Sequence, residues 1–400
     1  MEYKIFGCRL NKYFANQWID YFEQNNMINQ NTVLISSCEV TDNSKSKRIK
    51  KIRSYARKNY RIYLAGCWSI QYGSLIDEEK FYERYPELFD YKNHITLLPE
   101  SPYKDYDYNP SKNIFTRKYI LIQNGCDTYC SFCLTVKKRW SSRNISLENI
   151  LEKAKNAEKQ GINEIVLTWT NLTAWWATNT RNPEESGFSF LLERLLKETN
   201  IPRIRISSLS PEFLDEKFFE LAKESRIMPF FHLSIQHFSP DILAAMNRNY
   251  TTEYLERVLK KFSFLKRKDW IPVRLGGDVI VGFPWEQKED FELLYQKIKE
   301  YWISNLHVFS FSSHVRGETV PASGFDYQVS SEIKKEREKS LKELVSELEE
   351  DFVSLNKSKK LTILVENKDS WNSWGWSENY IRLWVSWVYK KWELVETYLD

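Results

Sequence analysis

NGCDTYCSFC, residues 124–133, follows the β-rich run YILIQ (119–123) and sets Cys126, Cys130 and Cys133 in a C-x3-C-x2-C spacing. A tight loop of this spacing can bring three thiolates to one cubane. Iron–sulfur clusters are normally held by four thiolates, so a three-cysteine loop implies one iron left open for a substrate or cofactor. Structural zinc, the alternative metal, wants four closed ligands. The five histidines (His94, His232, His237, His307 and His314) are scattered, and none stands at ligand spacing to the loop. His232 and His307 fall inside apolar strand patterns and read as core histidines.

Beyond the loop, further strand-like runs recur: EIVLTW (164–169), RIRISSL (203–209), FFHLSIQ (230–236), VRLGGDVIVGF (273–283) and LHVFSFS (306–312). Helical patterns separate them. In the first, Leu147, Ile150, Leu151, Ala154 and Ala157 line one face, Ser146 is an N-cap and Gly161 a stop. Six βα repeats without closing antiparallel hairpins predict a partial (β/α)6 barrel related to the TIM design, with chemistry at the strands' C-terminal mouth. Upstream, YKIFG, TVLISS and RIYLAG each run into a cysteine, Cys8, Cys38 and Cys67, and predict a parallel α/β sheet. Ligands gather beyond the carboxyl ends of such strands. Three cysteines at three such ends therefore converge in space, although about thirty residues separate them.

The domain plan that follows is an N-terminal parallel α/β domain over 1–105, with a polar linker at 100–113, then a barrel over 114–330. A long charged helix spans 331–357, and a small β-barrel with alternating apolar and polar residues occupies 358–400. Four hundred residues suit two or three domains. No run of about 18 apolar residues suggests a membrane span. The opening MEYKIFGCRLNKYF lacks an apolar h-region. We expect a cytoplasmic protein with reduced thiols. Net charge is only +4, so local clusters are more telling. From Lys45 to Lys58 there are eight basic residues and no acid, with Ile49, Ile52 and Ala56 at helical spacing. This is either a solvated helix face or a footprint for a phosphate backbone.

The C-x3-C-x2-C loop resembles that of the radical S-adenosylmethionine superfamily, and three upstream cysteines on an α/β domain narrow the resemblance to its methylthiotransferases. GCRLN at Cys8, SSCEVTDN at Cys38, AGC at Cys67, MNRNYT (246–251), DVIVGFP (278–284) and LHVFSFS all look like this family, in order. The C-terminal segment resembles its RNA-binding TRAM barrel. CRLN and CEVT look most like the branch acting on N6-threonylcarbamoyladenosine beside the tRNA anticodon. The family's neighbouring branches act on isopentenyladenosine in tRNA or on a ribosomal-protein aspartate, and a non-catalytic RNA-binding relative is a further alternative.

The resemblance implies two [4Fe-4S] clusters, one on Cys126, Cys130 and Cys133 and one on Cys8, Cys38 and Cys67. The first would bind S-adenosylmethionine and cleave it to a radical that takes hydrogen from C2 of the adenine. The second would carry or donate sulfur, and a second S-adenosylmethionine the methyl group. Phe132 and Gln236 would lie against the adenine and ribose of the cofactor, and Gly282 would leave room for its approach. Lys137, Lys138, Arg139 and Arg143 would hold tRNA phosphates, unless they form a solvated loop. Expected partners are tRNA, through an anticodon-loop adenosine, and an electron donor protein. No membrane association is expected, and the chain should act as a monomer.

Two features depart from the family pattern. QHFSPD carries His237 and Phe238 where small residues usually follow the glutamine. The chain also has 15 Trp against 12 Gly, although glycine is ordinarily about 7% of a protein. Trp68, Trp140, Trp169, Trp285, Trp302 and Trp392 stand where the family has glycine. We read these as UGA codons meant for glycine and rendered as tryptophan. The alternative is genuine tryptophan, stacking on RNA bases in the C-terminal barrel.

Overall fold

A computed structural model describes residues 1–39, 41–103, 108, 113–139, 141–177, 183–314 and 318–399. Most of the expected linker and Trp140 lie outside the described residues, as does the side chain of Trp169.

Near the N-terminus, short β-branched runs alternate with amphipathic helices. β1 (Glu2–Ile5), β2 (Thr32–Ser37), β3 (Arg61–Gly66) and, later in the chain, β6 (Ile95–Leu97) form one parallel sheet in the order β1-β2-β3-β6. Helices α1 (Arg9–Gln24), α2 (Asp42–Ala56) and α3 (Glu78–Arg84) and a small hairpin, β4 (Ile70–Gln71) and β5 (Ser74–Leu75), complete this part. On α2 the stripe of Ile49, Ile52 and Ala56 is buried as expected. Lys45 departs from its expected outward face. It is fully buried against Glu39, because a carboxylate inside the domain needs a counter-charge.

The barrel begins with β7 (Lys118–Asn124) and continues through β9 (Glu164–Trp169), β10 (Arg203–Ile206), β11 (Ser208–Leu209), β12 (Phe230–Gln236), β13 (Arg274–Val281) and β14 (Asn305–Ser310), all parallel. The run at 203–209 is broken at Ser207, whose hydroxyl donates to the Leu167 carbonyl. A two-residue β8 (Arg143–Asn144) pairs antiparallel with β7, a departure from the all-parallel expectation. Outside the strands lie α4 (Thr135–Arg139), α5 (Leu147–Lys159), α6 (Phe188–Glu198), α7 (Glu216–Leu221), α8 (Pro240–Ala245), α9 (Thr252–Ser263) and α10 (Lys288–Glu300). Phe231, Leu233, Ile235, Val279 and Val281 pack in one core with Ile150, Leu191, Leu255 and Leu294 of these helices. Period-two alternation therefore turns His232, Arg274 and Asp278 to the inner face.

Helix α11 (Ser331–Leu355) leads to an antiparallel sheet of β15 (Lys360–Lys368), β16 (Ser373–Trp376), β17 (Arg382–Val385) and β18 (Leu394–Tyr398), curled over its own core. This sheet closes the barrel floor. Arg203 donates to the carbonyls of Thr362 and Trp376, Arg205 to those of Ser377 and Glu378, and Arg274 to that of Tyr380. Arg117 pairs with Glu366. Glu164, fully buried, faces Arg117, Arg203 and Arg205. No described helix is long and apolar enough to cross a membrane.

Several tryptophans occupy glycine conformations. Helix α5 ends in a Schellman motif with Gly161 at φ +70°: Gly161 N donates to Glu158 O and Ile162 N to Ala157 O. Helix α10 ends with the same pair of bonds, Trp302 N to Lys299 O and Ile303 N to Ile298 O, and Trp302 sits at φ +50°. Trp176 (φ +71°), Trp285 (φ +71°) and Trp392 (φ +72°) each hold the third position of a turn closed by an i to i+3 bond, the place a type II turn reserves for glycine. For a bulky residue this region costs roughly 1–2 kcal/mol. Trp302→Gly is thus expected to raise unfolding stability by about that amount, measured by denaturant titration; an unchanged or lower midpoint would contradict the strain. Trp68 differs. It is fully buried and stacks on Tyr85 at 4.3 Å, although its indole N–H finds no partner.

Candidate active site

The first thiol loop leaves β7 at its C-terminal end. Gln123 fixes the exit by accepting from the Asn171 N–H at 2.9 Å and donating to the Gly125 carbonyl at 2.8 Å. Gly125 has φ +79°, and a Cβ there would lie 2.1 Å from the Ser141 carbonyl oxygen. The loop is then tied to the end of α8: Ser131 Oγ donates to Ala245 O at 2.7 Å, and Asn247 Nδ2 donates to Tyr129 O at 2.8 Å. Cys126, Cys130 and Cys133 face one another closely enough that each outer thiol is pushed up, by burial first and then by the neighbouring sulfur, Cys126 to about 12. Arg248 donates to Cys130 Sγ at 3.2 Å.

Cys8, Cys38 and Cys67 follow the C-terminal ends of three adjacent parallel strands and converge. Gly7 has φ +94°, and a Cβ there would strike Cys38 Cβ at 2.3 Å. The Cys38 thiol donates to Cys67, which holds the Cys67 sulfur down to about 5 against burial, with the Arg139 guanidinium adding to the effect. Arg139 Nη2 lies 3.7 Å from Cys67 Sγ.

This geometry corrects the reading of the basic segment after the loop. Lys138 and Arg139 are buried, not aimed at phosphates: Lys138 forms an ion pair with Glu39 at 2.7 Å, and Arg139 pairs with Glu100. Their charges neutralise acids where this helix meets the N-terminal sheet. Lys137 donates to the Thr319 carbonyl at 2.8 Å, and Arg143 alone of the four is exposed. Phe132 packs with Leu134, Met246, Ile280 and Phe309 beside the loop. Gln236 ends β12 in the left-handed region, φ +63°, where the register of β12 against β13 shifts. Gly282 has φ +66°. A Cβ there would meet the side chain of Lys334 on α11 at 2.2 Å. His237 is buried and accepts from the Ser239 N–H at 2.9 Å; burial lowers it to about 4. It supports the start of α8.

His232 and His307 are not independent core histidines. Asp278 Oδ1 accepts from His232 Nε2 and from His307 Nδ1, each at 3.0 Å. Both imidazoles hold the carboxyl well below the usual range, against burial. This trio lines the inner face two residues, roughly 7 Å, below Ile280 and Phe309. Asp278 stood inside DVIVGFP, but the sequence offered no pairing that would single it out.

Buried polar atoms without a protein partner surround the mouth: both Glu212 oxygens, Thr168 Oγ1, Asn171 Oδ1 and Arg248 Nε. Such groups are costly unless a ligand meets them. Three thiols with no fourth ligand among the described residues, together with these atoms, fit an open-cornered cubane that binds a polar cofactor.

A parallel barrel with a three-thiol loop after its first strand defines a radical S-adenosylmethionine enzyme, a class that works with a [4Fe-4S] cluster and S-adenosylmethionine. The Radical SAM superfamily model matches residues 120–298, and that of Uncharacterized protein family UPF0004 matches residues 1–85. The threonylcarbamoyladenosine tRNA methylthiotransferase MtaB of Rickettsia prowazekii is 30% identical over 399 residues, 95% of this chain and 90% of that one. The protein of the same name from Aquifex aeolicus is 36% identical over 253 residues, 62% and 58% of the two chains. The tRNA-2-methylthio-N(6)-dimethylallyladenosine synthase of Zymomonas mobilis is 27% identical over 388 residues, covering 91% and 85%. The chain belongs to the radical S-adenosylmethionine methylthiotransferase family and is an enzyme of that kind.

Proposed function

We propose that this enzyme adds a methylthio group to C2 of N6-threonylcarbamoyladenosine beside the anticodon of tRNA. Cys126, Cys130 and Cys133 would hold the cluster that binds S-adenosylmethionine, and Cys8, Cys38 and Cys67 a second [4Fe-4S] cluster. The observation that carries this is the presence of two separate thiol trios, each at the C-terminal ends of parallel strands. Loaded with these groups, the protein has one-electron chemistry able to remove hydrogen from an unactivated ring carbon, and an open iron corner for sulfur.

The chain's own work is placement. Phe132, Ile280 and Phe309 form an apolar wall beside the loop. Glu212, Asn171 and Arg248 offer buried polar contacts. The Asp278 carboxylate takes one N–H from each of His232 and His307, which fixes both imidazoles on the inner face of the barrel. Asp278→Asn is expected to lower kcat/KM by on the order of 10²-fold through misplacement, with iron content unchanged; wild-type turnover would remove the trio from the site. The exposed Lys47, Lys50 and Lys51 of α2 suit the tRNA backbone. An electron donor protein, a monomeric state and a cytoplasmic location belong to the same reading. So does a division of the chain at about residues 105, 330 and 357.

Anaerobic reconstitution tests it. The expected outcome is about eight irons per chain, 5′-deoxyadenosine formation, and a methylthiolated nucleoside by mass spectrometry of treated tRNA. A chain that binds tRNA but holds no iron would instead be a non-catalytic relative. A methylthio group found on isopentenyladenosine or on a ribosomal protein would move the substrate to a sister branch.

A further inference from the structure

We infer that Arg139 and Arg248 are positioning residues that set the reduction potentials of the two clusters, one arginine for each. The inference rests on reading the thiol trios as cluster ligands. Each trio has a guanidinium on one of its sulfurs: half-buried Arg248, with Nη1 on Cys130 at 3.2 Å, and buried Arg139, with Nη2 on Cys67 at 3.7 Å. Both are held from behind. Arg248 Nη2 donates to Ser234 O at 3.4 Å, and its guanidinium lies 4.9 Å from the Tyr250 ring. Arg139 donates to Asn11 Oδ1 at 3.4 Å and to Asn124 Oδ1 at 3.5 Å, and pairs with Glu100.

Reduction adds negative charge to a cluster. A fixed cation or an N–H donated to a ligand sulfur stabilises the reduced state and raises the potential. In a water-poor site this effect is little screened. The two arginines differ in their own company. Glu100 pairs with Arg139 directly, whereas the buried Glu212 carboxyl acts on Arg248 through its field without a hydrogen bond. Arg139 also lies on α4, into which that loop runs, so one short segment supplies three thiols to one site and the counter-charge to the other.

Redox titration of the anaerobic holoprotein, followed by electron paramagnetic resonance, tests the assignment. The cluster that responds to added S-adenosylmethionine is taken as the barrel one. Arg248→Gln is expected to lower its reduced-to-oxidised ratio at least tenfold at a fixed potential, about 59 mV for a one-electron couple, and to leave the other cluster alone. The paired change Arg139→Gln with Glu100→Gln, which leaves no buried unpaired acid, should lower only the second cluster. Arg→Lys at either position should restore part of the shift. Unmoved potentials, or both moving together in either variant, would overturn the inference. A wild-type protein with a single cluster would instead overturn the reading of the trios, and with it the half of the inference that concerns Arg139.

A different observation carries a second inference: we propose that the natural chain has glycine at 176, 285, 302 and 392. Trp302 occupies a helix stop that the chain elsewhere gives to Gly161, Asn26, Asn59 and Asn247. Trp176, Trp285 and Trp392 take the glycine position of three type II turns, one directly after Pro284. These sites lie in both the barrel and the C-terminal sheet, so stacking on RNA does not account for them. A UGA codon read as glycine in the source cell explains all four. Peptide mass spectrometry of the protein purified from its own cells should find glycine at 285 and 302; tryptophan at either would overturn the proposal.

Discussion

Cys38→Ala is expected to leave about four irons per chain and full cleavage of S-adenosylmethionine, while methylthiolated product falls to background. Cys130→Ala should also keep about four irons but make neither 5′-deoxyadenosine nor product. The asymmetry follows from the two sheets. Cys38 follows β2 of the N-terminal sheet, and Cys130 lies in the loop after β7. Four irons in each case is the content of one remaining cubane. Alanine at 38 removes only a sulfur and keeps the Cβ that Gly7 accommodates. Iron quantitation with nucleoside analysis checks both. Loss of all iron in Cys38→Ala, or product from either variant, would contradict two independent sites.

The second large effect is on folding. Glu164→Gln is expected to destabilise the protein by about 3–5 kcal/mol, the usual result of breaking a buried ion pair from one side. Three guanidiniums, Arg117, Arg203 and Arg205, converge on this carboxylate in a buried layer. They hold its pKa far below 4.5, against the opposing pull of burial. A carboxyl with a lowered folded pKa contributes stability that is complete above its unfolded value and is lost as pH falls toward the folded one. The gap between wild type and variant in a urea titration should therefore be constant above about pH 5 and shrink below about pH 4. A pH-independent gap would mean that Glu164 acts by shape alone.

The thiol sites were readable because chemistry imposes spacing on them. C-x3-C-x2-C is a local constraint, and Cys8, Cys38 and Cys67 each follow a strand whose direction is encoded by its β-branched run. Helix boundaries were legible where caps are strong, as at Ser146 and Gly161. The polar interior was not. RIRI at 203–206 announces two arginines on one face of a strand, but their acceptors are carbonyls at 362, 376, 377 and 378, more than 150 residues away. Lys138 and Arg139 looked like a nucleic-acid patch because a basic run reads the same whether its acids are absent or simply distant. Glu39 and Glu100 were the distant partners. His232 and His307 were hidden by apolar neighbours for the same reason, since Asp278 lies on the strand between them.

The sealed end of the barrel makes its interior a cul-de-sac. Access from the floor is blocked, so cofactor and nucleotide must approach from the open sides, the mouth where the cysteines gather among them. A base still stacked in a duplex is too wide and too rigid a guest for such an entrance. Only a nucleotide swung out of its strand could reach the depth of Asp278.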